Sequence, residues 1–151
     1  NTALYSNKGL IKNLVSKYGS QSIIASIDYK IVNHKLKVFI ENGSKEIELE
    51  LQEYMKYVVS LNVGEIYLNS IDKDGTGFGY DNDTINKVIR DITVPIIIAG
   101  GAGNEKHLIS ALERDSINAV ATANLFNFIG DGLPKARVKI LEKGINIAKW
   151  R

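Results

Sequence analysis

Polar or glycine-rich residues follow each of four apolar runs in this sequence, and the side chains able to do chemistry lie in those segments. The first run, Ile23-Ile24-Ala25, precedes Asp28 and Lys30. A carboxyl group at the rim of a site suits a general acid or a general base, so Asp28 is the candidate catalytic residue. The alternatives are an Asp28 that caps its own loop or pairs with Lys30, and a Lys30 that binds an anionic group.

A cluster of glycines, Gly100, Gly101 and Gly103, lies just before a predicted helix that starts near Glu105. Glycines leave backbone N–H groups free to point at an anion, and a helix N-terminus adds a favourable dipole. The alternative is a tight strand-to-helix turn that needs glycine for a positive φ angle. The next loop, Ala123-Asn124, favours phosphate binding, because paired phosphate-binding loops after the last two strands recur in barrels.

The segment Asp74-Gly75-Thr76 has three interpretations. An Asp-Gly pair is common in simple turns. Two acidic residues two positions apart, Asp72 and Asp74, also suggest a metal, but neither a His nor a further carboxylate lies nearby. We therefore expect no metal site, and instead a loop whose N–H groups and hydroxyl help to hold phosphate.

The elements that must position these residues form a repeat of strand and helix. Val38–Glu48, centred on Asn42-Gly43, is predicted to be a hairpin inserted between the first strand and its helix. Four runs are predicted to be parallel strands buried on both faces: Ser22–Ile27, Glu65–Ile71, Pro95–Ala99 and Ala119–Leu125. Five stretches with apolar residues three and four apart predict helices: Lys8–Tyr18, Leu49–Leu61, Asn82–Asp91, Glu105–Arg114 and Pro134–Lys143.

The repeat predicts an α/β fold, either an open doubly wound sheet or a closed barrel. Four parallel strand-helix units with a leading helix and no leading strand make half of a (βα)8 barrel. A half barrel leaves two strand edges bare. We therefore expect these edges to pair with a missing half barrel or with another copy of this fragment.

Composition limits the function classes. The 151 residues are 44% hydrophobic and 24% charged, as in a single globular domain. A formal charge of +2 gives no reason to expect nucleic-acid binding, and no apolar run approaches the ~20 residues that span a bilayer. The chain has no Cys, which fits a cytoplasmic protein. It begins at Asn1 without an initiator Met, so we expect it to start inside a longer protein.

Several segments, in order over nearly the whole chain, resemble the cyclase subunit of imidazole glycerol phosphate synthase. The most specific are Ser26–Lys30, Asp72–Thr76 followed by Gly79-Tyr80-Asp81, and Gly100–Gly103. The resemblance implies that residues 1–151 are the C-terminal half of a single (βα)8 TIM barrel, starting as its fourth strand ends. On this resemblance, the N-terminal half of that barrel would be absent from these residues.

The resemblance also implies roles for particular residues. Asp28 matches one of two catalytic aspartates that act as general acid and base; the other lies in the absent half. Glu65, at the opposite end of the barrel, matches a charged residue of an ammonia gate, although a surface Glu at a strand start is the alternative. Two phosphate sites are implied, one with Asn1 and Thr2, the other with Asp74, Gly75, Gly101, Ala123 and Asn124.

The implied reaction belongs to histidine biosynthesis and uses ammonia from a glutaminase partner. Ammonia crosses the barrel and attacks a bis-phosphorylated ribulosyl aminoimidazole carboxamide nucleotide. The products are imidazole glycerol phosphate and an aminoimidazole carboxamide ribotide. Neither a metal nor an organic cofactor is implied, and this fragment alone is expected to be inactive.

Some residues depart from the cyclase pattern. Asn69 stands where Thr is usual, Ala99 and Asn124 where Ser is usual, and Asn127 where His is usual. These changes resemble paralogues that deliver ammonia to a separate amidotransferase for surface-polysaccharide sugars. A third interpretation is a half-barrel scaffold that binds phosphate without catalysis.

Overall fold

One sheet with helices beside it makes up the fold. The computed structural model describes residues 1–123 and 130–148, and a 3-10 turn spans Ser20–Ser22. The strands are β1 (Ile24–Val32), β2 (Lys35–Ile40), β3 (Lys45–Glu50), β4 (Glu65–Ser70), β5 (Ile96–Ala99) and β6 (Ala119–Val120). The helices are α1 (Thr2–Ser6), α2 (Lys8–Tyr18), α3 (Leu51–Ser60), α4 (Asn82–Val88), α5 (Glu105–Leu112) and α6 (Gly132–Glu142).

The sheet has the order β3-β2-β1-β4-β5-β6. The strands β1, β4, β5 and β6 are parallel, each separated from the next by at least one helix. This is the predicted series of strand-helix units after a leading helix, here α1 and α2. Among the described residues no helix is long and apolar enough to cross a membrane.

The helices bury only one face of the sheet. On β1, Ala25, Ile27 and Tyr29 are buried against the helices, whereas Ser26 and Asp28 point to the other face and stay partly exposed. The strand β4 alternates in the same way. The prediction of strands buried on both faces was therefore wrong. The second face of a barrel strand is covered by strands across the barrel, and none of the described strands lies opposite.

The hairpin differs from the prediction in extent. The predicted turn at Asn42-Gly43 is present, between β2 and β3. A second turn at Asn33-His34 joins β1 to β2, so β1 continues to Val32, beyond the predicted end at Ile27. Asn33 and His34 have φ angles of +49° and +63°, as in the two-residue turns that match the twist of a hairpin. We expected only one hairpin turn because Asn-His is a weaker turn signal than Asn-Gly.

The Asn33-His34 turn generates a stability prediction. His34→Gly should raise the free energy of unfolding by about 0.5–1 kcal/mol, because glycine adopts a positive φ without a Cβ clash. Urea denaturation measures this change. Glu48→Gly, on the exposed edge of β3, is the matched control and should lower stability by about 0.5–1 kcal/mol. Equal losses in both variants would show that His34 is not strained.

Candidate active site

Near the carboxyl ends of the parallel strands, three residues of adjacent strands lie side by side in the sheet. Asp28 on β1 lies beside Asn69 on β4, and Asn69 lies beside Ala99 on β5. The side chain of Asp28 is on the face of the sheet that the helices leave open. This is the end of a parallel sheet at which α/β proteins place functional groups.

The Asp28 carboxylate is held by two side-chain amides. Asn69 Nδ2 donates to Asp28 Oδ1 at 3.1 Å, and Asn1 Nδ2 donates to Asp28 Oδ2. The same Asn1 nitrogen donates to the carbonyl of Phe39 at 3.2 Å. Within the described residues Asp28 neither pairs with Lys30 nor caps a backbone N–H, so neither structural alternative for Asp28 is observed.

A cavity of about 280 Å³ lies against this carboxylate. It brings Asp28 and Asp74 together, as the motifs suggested. Its wall also contains residues that we did not assign to the site, namely Asn42, Gly43, Asn69 and Ile71. The predicted Asn42-Gly43 turn was the available signal, since a hairpin inserted after a strand end lies at the same rim.

Tyr67 lies one layer below Asp28 on the open face of β4. Burial raises the pKa of Tyr67, and the negative charges of Asp74 and Asp28 raise it further. Glu65 begins the same strand at the opposite end of the sheet, paired with Ile24 and partly buried. Glu65, Tyr67 and Asn69 thus alternate along one side of β4, from the amino end to the cavity.

Two glycine-rich loops, after β4 and after β5, contact each other through their backbones. The N–H of Gly79 donates to the carbonyl of Gly101 at 2.7 Å. A Cβ on Gly101 would lie 2.2 Å from the carbonyl oxygen of Gly79, and one on Gly103 would lie 1.7 Å from that of Gly77. We call this contact the loop clasp (Gly77, Gly79, Gly101 and Gly103). Close backbone approach therefore requires glycine here, whether or not an anion binds.

At the N-terminus of α5, backbone N–H groups already donate to side chains of the protein. The Asn104 side chain accepts from the N–H groups of Lys106 at 2.9 Å and His107 at 3.3 Å. His107 Nδ1 accepts from the N–H of Gly103 at 2.9 Å. By contrast, the N–H groups of Gly75 and Gly101 donate to no group in residues 1–123 and 130–148. These two N–H groups are therefore the candidate anion donors of the two loops.

The loop after β4 also contacts the strands on both sides. Buried Tyr29 donates to Asp81 Oδ2 at 3.0 Å, and the pKa of Tyr29 is raised by burial and by the charge of Asp81. Tyr80 donates to the carbonyl of Ala121 at 2.9 Å. Asp72 accepts from the N–H of Ile31 at 2.8 Å, so its carboxylate holds the end of β1. Among the described residues no group of three or more His, Cys, Asp or Glu side chains could hold a metal.

The remaining predicted residues have the following positions. Thr2 Oγ1 accepts from the N–H of Glu41 at 3.0 Å, which ties Thr2 to the hairpin. Lys30 is exposed on the same face as Asp28. Gly100 is buried against the carbonyl of Ser70. Ala123 is exposed just after β6, and Asn124 and Asn127 lie outside the described residues.

Comparison with known proteins identifies the family. A family model described as histidine biosynthesis protein matches residues 1–130. The chain belongs to this family. Membership confirms the resemblance seen in the sequence, and together with the parallel β1, β4, β5 and β6 it confirms the predicted half of a (βα)8 TIM barrel.

Curated relatives support the family assignment. The chain is 40% identical over 151 residues to the hisF2 subunit assigned to imidazole glycerol phosphate synthase in Parasynechococcus marenigrum (strain WH8102), covering 99% of this chain and 56% of the relative. It is 36% identical over 147 residues to imidazole glycerol phosphate synthase subunit HisF of Chlorobium limicola, covering 97% of this chain and 59% of the relative. The chain thus spans just over half the length of these relatives.

The loop clasp generates a stability prediction for Gly103→Ala. We expect it to lower the free energy of unfolding by about 2–3 kcal/mol, because the added Cβ forces the two backbones apart. Urea denaturation provides the test. Gly9→Ala, in α2, is the control: its Cβ would meet only Asn7 Oδ1 at 3.7 Å, and it should gain about 0.5–1 kcal/mol. A Gly103→Ala protein as stable as wild type would refute the clasp.

Proposed function

We propose that this chain is the C-terminal half of a single (βα)8 domain with the cyclase activity of imidazole glycerol phosphate synthase. It would use ammonia to convert a bis-phosphorylated ribulosyl aminoimidazole carboxamide nucleotide to imidazole glycerol phosphate and an aminoimidazole carboxamide ribotide. The observation that carries the proposal is the Asp28 carboxylate, framed by two amides at the wall of a polar cavity beside Asp74. The curated relatives named for this synthase support it.

Asp28 is the proposed general acid or base. Each of its oxygens accepts one amide N–H, and each retains lone-pair capacity for a proton that moves to or from substrate. The carboxylate faces the cavity and not the helix layer, so a substrate can reach it. A positioned carboxylate typically contributes ~10²–10⁴-fold to such a proton-transfer step.

Two phosphate sites are proposed on either side of the cavity. One contains Asp74, Gly75, Gly100, Gly101, Ala123 and Asn124. Its support is the pair of unengaged N–H groups at Gly75 and Gly101, which suit a phosphate oxygen. The other contains Asn1, Thr2 and Lys30, and its support is the exposed Lys30 ammonium on the face that carries Asp28. The substrate would span the cavity between these two sites.

The rest of the barrel and a glutaminase subunit are the proposed partners. The outer edge of β6, the last strand of the described sheet, and the open face with Glu65, Tyr67 and Asn69 are the surfaces that an N-terminal half barrel would complete. That half would supply the second catalytic aspartate. Glu65, at the amino end of the open face, would gate ammonia released by the glutaminase.

Asp28→Asn in the full-length protein tests the catalytic assignment. With high ammonium in place of the glutaminase, turnover of the bis-phosphorylated nucleotide should fall by ~10²–10⁴-fold, because the amide cannot exchange the proton. KM should change little, since the phosphate contacts remain. Asp83→Asn, in the exposed first turn of α4, is the charge-matched control and should retain full turnover. Unchanged turnover in Asp28→Asn would remove this residue from the mechanism.

A second candidate is delivery of ammonia for amidation of a surface-polysaccharide sugar. It is favoured by Asn69 and Ala99, which depart from the cyclase pattern. In that case the full-length protein would bind phosphate and pass ammonia, and product would form only with a separate sugar amidotransferase. A half-barrel scaffold would bind phosphate but form product in neither assay.

A further inference from the structure

Asn69 is the cavity residue whose side chain bonds the Asp28 carboxylate and lies next to the glycine loop. Its Nδ2 donates to Asp28 Oδ1 at 3.1 Å. Its Oδ1 lies on the other side, 3.0 Å from the point that a Cβ on Gly100 would occupy. The amide therefore spans the space between the carboxylate on β1 and the glycine loop after β5.

The chemistry of the contacts determines how the amide is oriented. A carboxylate oxygen accepts hydrogen bonds, so the amide nitrogen must face Asp28 and the oxygen must face the loop. The reversed amide would set two oxygens against each other. Because Asn1 holds the second carboxylate oxygen, rotation of the Asp28 carboxylate is restrained at both ends.

A shorter side chain does not reach as far from β4 as this amide does. Threonine, usual at this position in the cyclase pattern, ends one bond nearer the backbone and carries a single hydroxyl group. The methyl groups of leucine match the shape of the amide but donate no hydrogen bond. The amide of Asn69 therefore gives Asp28 a hydrogen bond that an apolar side chain of the same shape could not give.

We propose that Asn69 is a positioning residue that fixes the orientation of the Asp28 carboxylate. This rests on the proposed function for its kinetic consequence, but the contact itself does not depend on which reaction occurs. Asn69 acts through Asp28, so its loss should affect the chemical step and not the binding of the phosphate groups.

Kinetics of Asn69→Leu in the full-length protein give the first test, with ammonium and the bis-phosphorylated nucleotide. We expect kcat to fall roughly 10- to 100-fold with KM within about twofold of wild type, because only the orientation of Asp28 is lost. Asn69→Gln, which restores the amide, should recover part of kcat. Asn13→Leu, on the exposed side of α2, should match wild type. An unchanged kcat in Asn69→Leu overturns the proposal, as does a proportional loss in Asn13→Leu.

A second measurement needs no substrate and separates the two proposals. The carboxyl carbons of aspartate are labelled with ¹³C, the Asp28 signal is assigned from Asp28→Asn, and its titration is followed by NMR. Among the described residues, the other charged or titratable groups around it are the Asn1 α-amino group, Lys30 on β1, Tyr67 on β4 and Asp74 in the cavity wall. In Asn69→Asp a second carboxylate faces Asp28, so the midpoint should rise by about one pH unit or more.

The outcomes of this titration are distinct. A rise in Asn69→Asp and none in Asn13→Asp supports the contact even where wild-type protein converts no nucleotide, and only the proposed reaction then fails. An Asp28 titration that is the same in wild type, Asn69→Leu and Asn69→Asp shows that Asn69 does not face Asp28, and the inference is overturned.

Discussion

The backbone contact between the loops after β4 and β5 is the constraint on which the site depends. The carbonyl groups of Gly77 and Gly79 lie so close to Gly103 and Gly101 that no Cβ fits on either of these two residues. The same loop is held to β1 by the bond from Tyr29 to Asp81 and to the end of β6 by the bond from Tyr80 to Ala121. These contacts link the loop after β4 to the ends of the neighbouring strands, and Asp74 of the same loop lines the cavity.

In this arrangement the site combines backbone N–H groups from the loops with side chains from the strands. The loops offer N–H groups at Gly75 and Gly101, whereas the strands offer Asp28 and Asn69 at one level of the sheet. Backbone N–H donors suit the phosphate group of any phosphate ester. The side chains must therefore distinguish one substrate from another. On the proposed function, a substitution such as Asn69 would change the side-chain chemistry of the site and leave these backbone donors in place.

Much of this arrangement can be predicted from local sequence. Apolar runs followed by polar strand ends locate the parallel strands and the rim that carries Asp28, and the Asn42-Gly43 pair locates one hairpin turn. The hydrogen bonds from Asn1 and Asn69 to Asp28 join residues 27 and 41 positions apart, and no spacing rule predicts them. The clasp was missed for a related reason: the need for glycine at Gly103 comes from Gly77, in another loop. The one-sided burial of the strands depends on what lies across the sheet.

Ammonia-dependent turnover of the bis-phosphorylated ribulosyl nucleotide by the full-length protein tests the central claim most directly. High ammonium replaces the glutaminase, so the measurement depends only on the barrel. The account predicts formation of imidazole glycerol phosphate and the aminoimidazole carboxamide ribotide in equal amounts. A folded protein that binds the nucleotide with both phosphates but forms no product would contradict the cyclase assignment and favour ammonia delivery to a separate amidotransferase.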